Sequence, residues 1–305
     1  MTTAFIFPGQ GSQSVGMGAD WLGRSDLVRQ TFEEADEALG ESLSKIILEG
    51  PADVLTQTEN TQPALLTVSV AYWRVLEAAG VTPDVVAGHS LGEYSALVCA
   101  GAFNFADAVR LTRLRGQAMQ SAVPLGVGSM AALIRIDTEE TVLALCAAAT
   151  EGDEVLEPAG YNTVGQAVVA GHVSAIKKAV ALAGDFGGIG KELTVSAPFH
   201  CSMLLPAGER LAEALAEVDI AALGVPYVPN VTGEWTVAPS ADAVRANLVA
   251  QVSKPVMWLP GMRAMADHGV TSWLEVGSGR TLQGLVKRFD RKADIAGFEA
   301  EGWTS

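Results

Sequence analysis

Residues 85–97, VVAGHSLGEYSAL, constrain the fold more than any other stretch of this chain. An apolar run, Val85-Val86-Ala87, meets Gly88-His89-Ser90-Leu91-Gly92, and an Ala/Leu-rich segment follows. That order reads as strand, sharp turn and helix, the setting of a nucleophile elbow. The glycines remove side chains where such a turn would clash. The serine hydroxyl is left at the tip, beside a helix N-terminus whose unpaired N–H groups can hold an oxyanion.

The rest of the pattern suits that setting. Thr3 to Phe7 read as a buried strand ended by Pro8-Gly9, and helical periodicity follows over 26–39, 61–79 and 105–121. Strands alternating with helices imply an α/β fold, a mostly parallel sheet with helices on both faces. The rhythm changes between 127 and 196. Strands are expected at 127–136, 154–162, 166–171 and 188–195, with helices at 138–150 and 173–183. This β-α-β-β-α-β order describes a ferredoxin-like unit. The expected organisation is an α/β-hydrolase-like domain of residues 1–126 and 197–305, with a small ferredoxin-like subdomain of 127–196 inserted and a cleft between them. The tail beyond about 290 is expected at the surface.

Composition bounds the partners. A chain of 305 residues that is 49% apolar can bury a substantial core. Its net charge of −15 opposes nucleic acid and anionic membrane surfaces, whose phosphates repel such a field. Cys99, Cys146 and Cys201 form no C-x-x-C pair and no metal-ligand spacing with histidine, so reduced core thiols are expected. The N-terminal apolar run stops at Pro8 without a basic segment before it, and no stretch of 18 apolar residues occurs. A soluble, cytoplasmic protein is the expectation.

A serine hydroxyl needs a base to become nucleophilic. The chain has four histidines, His89, His172, His200 and His268. Adjacent residues on a turn project apart, which disfavours His89, and His172 and His268 sit beside glycines in expected exposed turns. His200, in Ser196-Ala197-Pro198-Phe199-His200-Cys201, lies at the expected domain junction, where a side chain can overhang the cleft. No acid stands where an α/β-hydrolase triad would have one. A thioester, more electrophilic than an amide, can be attacked with a histidine oriented by a neutral acceptor. The Gly-rich FPGQGSQ turn after the first strand matches neither phosphate-loop nor dinucleotide fingerprints.

Five blocks, FPGQGSQ, GHSLGEYSAL, RGQAM, APFHC and EVGSGRTLQGL, occur in that order over nearly the whole chain. Together they resemble the malonyl-CoA:acyl-carrier-protein transacylase family, acyltransferases of fatty-acid and polyketide synthesis. The resemblance implies that Ser90 is the acylated nucleophile and His200 its base. It implies that the backbone N–H groups of Gln10 and Leu91 form the oxyanion hole and that the Gln251 carbonyl orients the histidine. It also implies that Arg115 pairs with the malonyl carboxylate. The sequence by itself leaves Arg110, Arg113 and Arg115, all on one helix, as alternatives.

In related polyketide acyltransferase domains, Phe at the position of Phe199 accompanies malonyl, its bulk crowding an α-methyl group. Met119 and Met130 are expected to line the pocket. The implied partners are malonyl-CoA and acyl carrier protein, with CoA thioester as substrate, no metal and no resident cofactor. Lys191, Arg280, Lys287 and Arg288 are candidates to meet CoA phosphates and an acidic carrier at the cleft mouth. A monomer is expected. Two other readings stand beside this one: a hydrolase of the same fold that clears stalled carriers, and a non-catalytic docking subunit, whose mark would be a damaged elbow or a lost histidine.

Overall fold

The computed structural model describes residues 2–136 and 138–298. In chain order, its strands are β1 (Thr2–Phe7), β2 (Val85–Gly88), β3 (Gly128–Ile134), β4 (Leu156–Thr163), β5 (Gln166–His172), β6 (Ile189–Glu192), β7 (Tyr227–Val228), β8 (Val270–Glu275) and β9 (Asp294–Gly297). They form two sheets. One has the order β7-β2-β1-β8-β9 and is parallel throughout. The other has the order β4-β5-β3-β6 and is antiparallel, the strand order of a ferredoxin-like unit.

Alternation along β1 shows why the parallel sheet is buried on both faces. Phe5 and Phe7 enter the largest core, against the helices Asp26–Leu39 and Thr58–Ala78, whereas Ala4 and Ile6 pack on the opposite side with Trp258, Met262 and Leu282. In the antiparallel sheet the same period of two divides its faces. Ala131, Leu133, Ala167 and Val169 pack under the helices Glu139–Ala149 and Val173–Leu182. The other face presents Met130 and Val168 toward the large core.

Parallel pairing sets the register that matters for the site. Phe7 lies opposite Gly88, so the turns leaving β1 and β2 emerge side by side. The chain builds outward from β1 to β2 and β7, then returns to β8 and β9 on the other side. A crevice opens at such a reversal, outside the carboxyl ends of the strands. The antiparallel sheet covers it: Val256 N–H donates to Ala159 carbonyl at 3.0 Å, and Tyr161 N–H to Val256 carbonyl at 2.9 Å, stitching β4 to the larger unit.

Two expectations need correction. The segment beyond 290 is not all surface: β9 extends the parallel sheet beside β8, and Phe298 is buried, stacked on Trp21 with ring centroids 4.8 Å apart. Four residues flanked by charge are too short to show a period, and only the free edge of β8 selects them. Residues 299–305, the end of that expected tail, lie outside the described residues. His172 does not occupy an exposed turn but ends β5, half-buried, where its Nδ1 accepts the Val155 N–H at 2.8 Å.

Candidate active site

The elbow is dictated by contact distances. A Cβ on Gly88 would stand 1.9 Å from the backbone carbonyl of Gly92, and one on Gly92 would stand 2.1 Å from the Phe7 carbonyl oxygen. Neither position admits a side chain. Between them Ser90 takes φ 52°, a left-handed conformation rare outside glycine and retained where a site over-determines it. His200 shares the feature, with φ 65°.

These two strained residues face each other. Ser90 Oγ lies 2.8 Å from His200 Nε2, and His200 Nδ1 lies 2.7 Å from the Gln251 carbonyl oxygen. A carbonyl only accepts, so Nδ1 carries the proton and Nε2 is left to accept the serine O–H. Burial, reinforced by the nearby Arg115 guanidinium, depresses the His200 pKa to about 3, against which the Gln251 bond works. The imidazole is therefore neutral and able to take a proton at physiological pH. The loop beyond it is pinned, since Ser202 donates from both N–H and Oγ to Glu157 of β4, each at 2.7 Å.

Of the three candidate arginines on the helix Phe105–Ser121, the structure brings one to the site. Arg110 is exposed and pairs with Asp107, while Arg113 bonds Glu41, Asn60 and the Glu59 carbonyl. Arg115 is 1% exposed. Its Nη1 donates to Gln62 Oε1 at 2.7 Å, and its Nη2 donates to Gln251 Oε1 at 2.8 Å and to Ser90 Oγ at 3.2 Å. The guanidinium also lies over the Tyr94 ring, 5.6 Å from its centroid.

These groups open onto a cavity of about 260 Å³. Gln10, Leu91, Arg115, Met119, Met130 and Phe199 all line it, with Ser90 and His200. Gln251 is wholly buried behind His200 and Arg115. The backbone N–H groups of Gln10 and Leu91 donate to no acceptor among the described residues, as an oxyanion hole requires. Of the basic candidates, Lys191 is exposed on β6 and Arg280 precedes the lining residue Thr281; Lys287 Nζ donates to the Ala293 carbonyl at 2.8 Å.

Four residues of the site escaped the sequence reading. Asn230 Oδ1 accepts the Ser90 N–H at 2.6 Å, and its Nδ2 donates to the Gly88 carbonyl at 2.6 Å, bracing the elbow from outside. Gln62 holds Arg115, and Glu93 lies buried below the turn. Asn162, from β4, meets His89 Nε2 at 2.9 Å across the cleft. Nothing local marks them in the sequence: Gln62, for one, ends the polar stretch Thr58-Glu59-Asn60-Thr61-Gln62 and is buried only because the helix Thr58–Ala78 packs it inward.

A family model described as the acyl transferase domain matches residues 4–298. A malonyl CoA-acyl carrier protein transacylase from Escherichia coli (strain K12) is 47% identical over 287 residues, 93% of this chain and 92% of that protein. The structure of the malonyl CoA-acyl carrier protein transacylase from Coxiella burnetii superposes with a TM-score of 0.94 at 41% identity, covering 98% of this chain and 94% of that one. A malonyl-transacylase in complex with its type II polyketide synthase acyl-carrier protein gives a TM-score of 0.94 at 40% identity, covering 99% and 97%.

Proposed function

The chain belongs to the acyl transferase family, and from that premise we propose how its site moves a malonyl group from CoA to the phosphopantetheine thiol of an acyl carrier protein. Ser90 Oγ gives its proton to His200 Nε2 as it attacks the thioester carbon, and the N–H groups of Gln10 and Leu91 receive the oxyanion. Collapse of the tetrahedral intermediate breaks the carbon–sulfur bond. His200 returns the proton to the departing CoA sulfur and a malonyl-serine ester remains. The carrier thiol then repeats the sequence in reverse, giving its proton to His200 and attacking the ester, and Ser90 leaves with that proton restored.

Arg115 supplies the choice of acyl group. Once Ser90 Oγ is esterified, the Nη2 donor it held is released to the malonyl carboxylate, a charge-assisted pair that an acetyl group cannot form. Leaving a buried guanidinium without its anion costs about 3–5 kcal/mol, so competitors are rejected for what they lack. The arriving carboxylate also offsets part of the repulsion that depresses His200, raising its basicity as the substrate seats. Phe199, Met119 and Met130 shape the apolar remainder.

One observation carries this reading: a nucleophilic oxygen held between a neutral imidazole at 2.8 Å and a buried guanidinium at 3.2 Å. A hydrolase clearing uncharged chains has no use for that cation. The chemistry calls on no metal and no resident cofactor. We assign residues 127–196 to a small ferredoxin-like subdomain and residues 1–126 and 197–305 to a large α/β-hydrolase-like domain. Lys191, Arg280, Lys287 and Arg288 are assigned to phosphate and carrier contacts. A cytoplasmic monomer is the setting we propose. No helix among the described residues is long and apolar enough to cross a membrane.

The test is to incubate the protein with malonyl-CoA, digest it and locate the added mass. Modification of Ser90 is expected, and Arg115→Ala should lose malonyl loading by about 100-fold while gaining acetyl loading. Malonyl on any other residue, or free malonate in place of loaded carrier, contradicts the reading.

A further inference from the structure

Glu93 lies in the first turn of the helix Gly92–Cys99, directly beneath the elbow, is 1% exposed, and has no part in the acyl-transfer steps. A carboxyl group is a poor choice for such a place on packing grounds alone, since burial pushes its pKa up to about 7 and an apolar side chain would fill the volume without that cost. Its contacts are selective. Oε2 accepts from Gln251 Nε2 at 2.7 Å and from the Asn230 N–H at 3.1 Å, whereas Oε1 has no partner among the described residues.

Gln251 is where those contacts acquire meaning. Its amide oxygen accepts from Arg115 Nη2 at 2.8 Å, and its amide nitrogen donates to Glu93 Oε2 and to the Ser90 carbonyl at 2.9 Å. An amide turned end for end fills the same space, so only its neighbours distinguish the two orientations. In the reversed one, NH₂ would confront the guanidinium, donor against donor, and the amide oxygen would confront Glu93 Oε2 and the Ser90 carbonyl, acceptor against acceptor. Arg115 would then lose one of its three side-chain acceptors and keep only Gln62 and Ser90.

We propose that Glu93 is a positioning residue for substrate choice: its Oε2 holds the Gln251 amide with the oxygen toward Arg115, and so keeps the guanidinium at the end of the cleft where a carboxylate must sit. The inference rests on the acyl-transfer reading above. It assigns importance to the reach of one acceptor oxygen and none to its charge. A proton on the partnerless Oε1 leaves Oε2 accepting, so the arrangement survives titration of the group. The competing role, a counter-ion for Arg115, requires the charge and is indifferent to the amide.

Glu93→Gln and Glu93→Asp separate the two. Glutamine presents an acceptor oxygen at the same reach without charge, and aspartate keeps the charge but withdraws it by one methylene. The readout is the ratio of kcat/KM for malonyl-CoA to that for acetyl-CoA, with thermal unfolding of each variant measured alongside. For Glu93→Gln the ratio should stay within about 3-fold of wild type, and for Glu93→Asp it should fall by about 10-fold or more through loss of malonyl turnover. The reverse ranking identifies a counter-ion and overturns the proposal. So does an equal loss with both substrates that follows lost thermal stability, or a ratio unchanged in both variants. Failure of the acyl-transfer reading shows separately, as wild-type protein that forms no malonyl ester on Ser90.

Discussion

The two sheets face one cleft and furnish it by opposite means. At the carboxyl edge of the parallel sheet, Ser90, His200, Arg115, Gln251, Asn230 and Glu93 form a continuous buried web of hydrogen bonds. The antiparallel sheet contributes chiefly apolar surface, Met130, Val168 and Ala159, with Asn162 and Gln166 as its polar groups. Moving a proton between serine and imidazole demands placement to a fraction of an ångström, and only groups with few alternative partners are held so closely. Enclosing an acyl chain demands volume, which side chains at a period of two along a strand provide.

Substitutions on the two sides should therefore fail differently. The largest effect is expected for His200→Ala: loss of the base should lower kcat/KM for malonyl-CoA by about 10²–10⁴-fold, with circular dichroism and thermal unfolding close to wild type. A loss of similar size accompanied by unfolding would mean that the web holds the fold rather than the reaction. Across the cleft, Asn162→Ala removes one hydrogen bond to His89. Such a bond contributes about 0.5–1.5 kcal/mol, so KM should rise roughly 2- to 10-fold with kcat little changed. A fall in kcat instead would place Asn162 in the chemistry and erase the contrast.

The smallest effect is the most diagnostic of burial. A histidine titrating at its ordinary value would lose about four-fold in active base between pH 8 and pH 6. His200, held down to about 3 by burial and by Arg115, remains neutral over that range. The kcat/KM of wild type, which reports the free enzyme, should vary by less than about 2-fold there. A limb near pH 6.5 that persists in Glu93→Gln, which removes the neighbouring carboxyl that burial raises to about 7, would show the cleft to be wetter than its geometry indicates.

Much of this architecture was legible before any coordinates. The helix over 26–39 and that over 105–121 stand where their periodicity and flanking signals put them, as Asp26–Leu39 and Phe105–Ser121. Asn104 caps the latter by accepting the Asp107 N–H. The ferredoxin-like order of strands and helices also follows from local pattern. His200 stood out among four histidines because its Pro-Phe-His loop falls between two rhythms of secondary structure. The helix read as 61–79 begins earlier, at Thr58, since Thr58, Asn60, Thr61 and Gln62 look like a polar loop and are in fact buried in a helix. The strand β9 was missed for the same kind of reason: its partner, not its composition, makes it a strand.

What the sequence determined by itself was where the elbow lies, because an apolar strand, a Gly-x-Ser-x-Gly turn and a helix follow one another along the chain; the contacts that fix it, the Phe7 carbonyl against Gly92 and Asn230 against Ser90 and Gly88, come from distant segments. The tertiary structure alone decided which of three arginines enters the site, how Gln62, Gln251, Asn230 and Glu93 are joined, and where the last strand docks. Those partners lie far apart in sequence, as Arg115 and Gln251 do. Their pairing depends on which polar groups are left together once helices and sheets have packed and water has been excluded, a condition no local pattern of residues records.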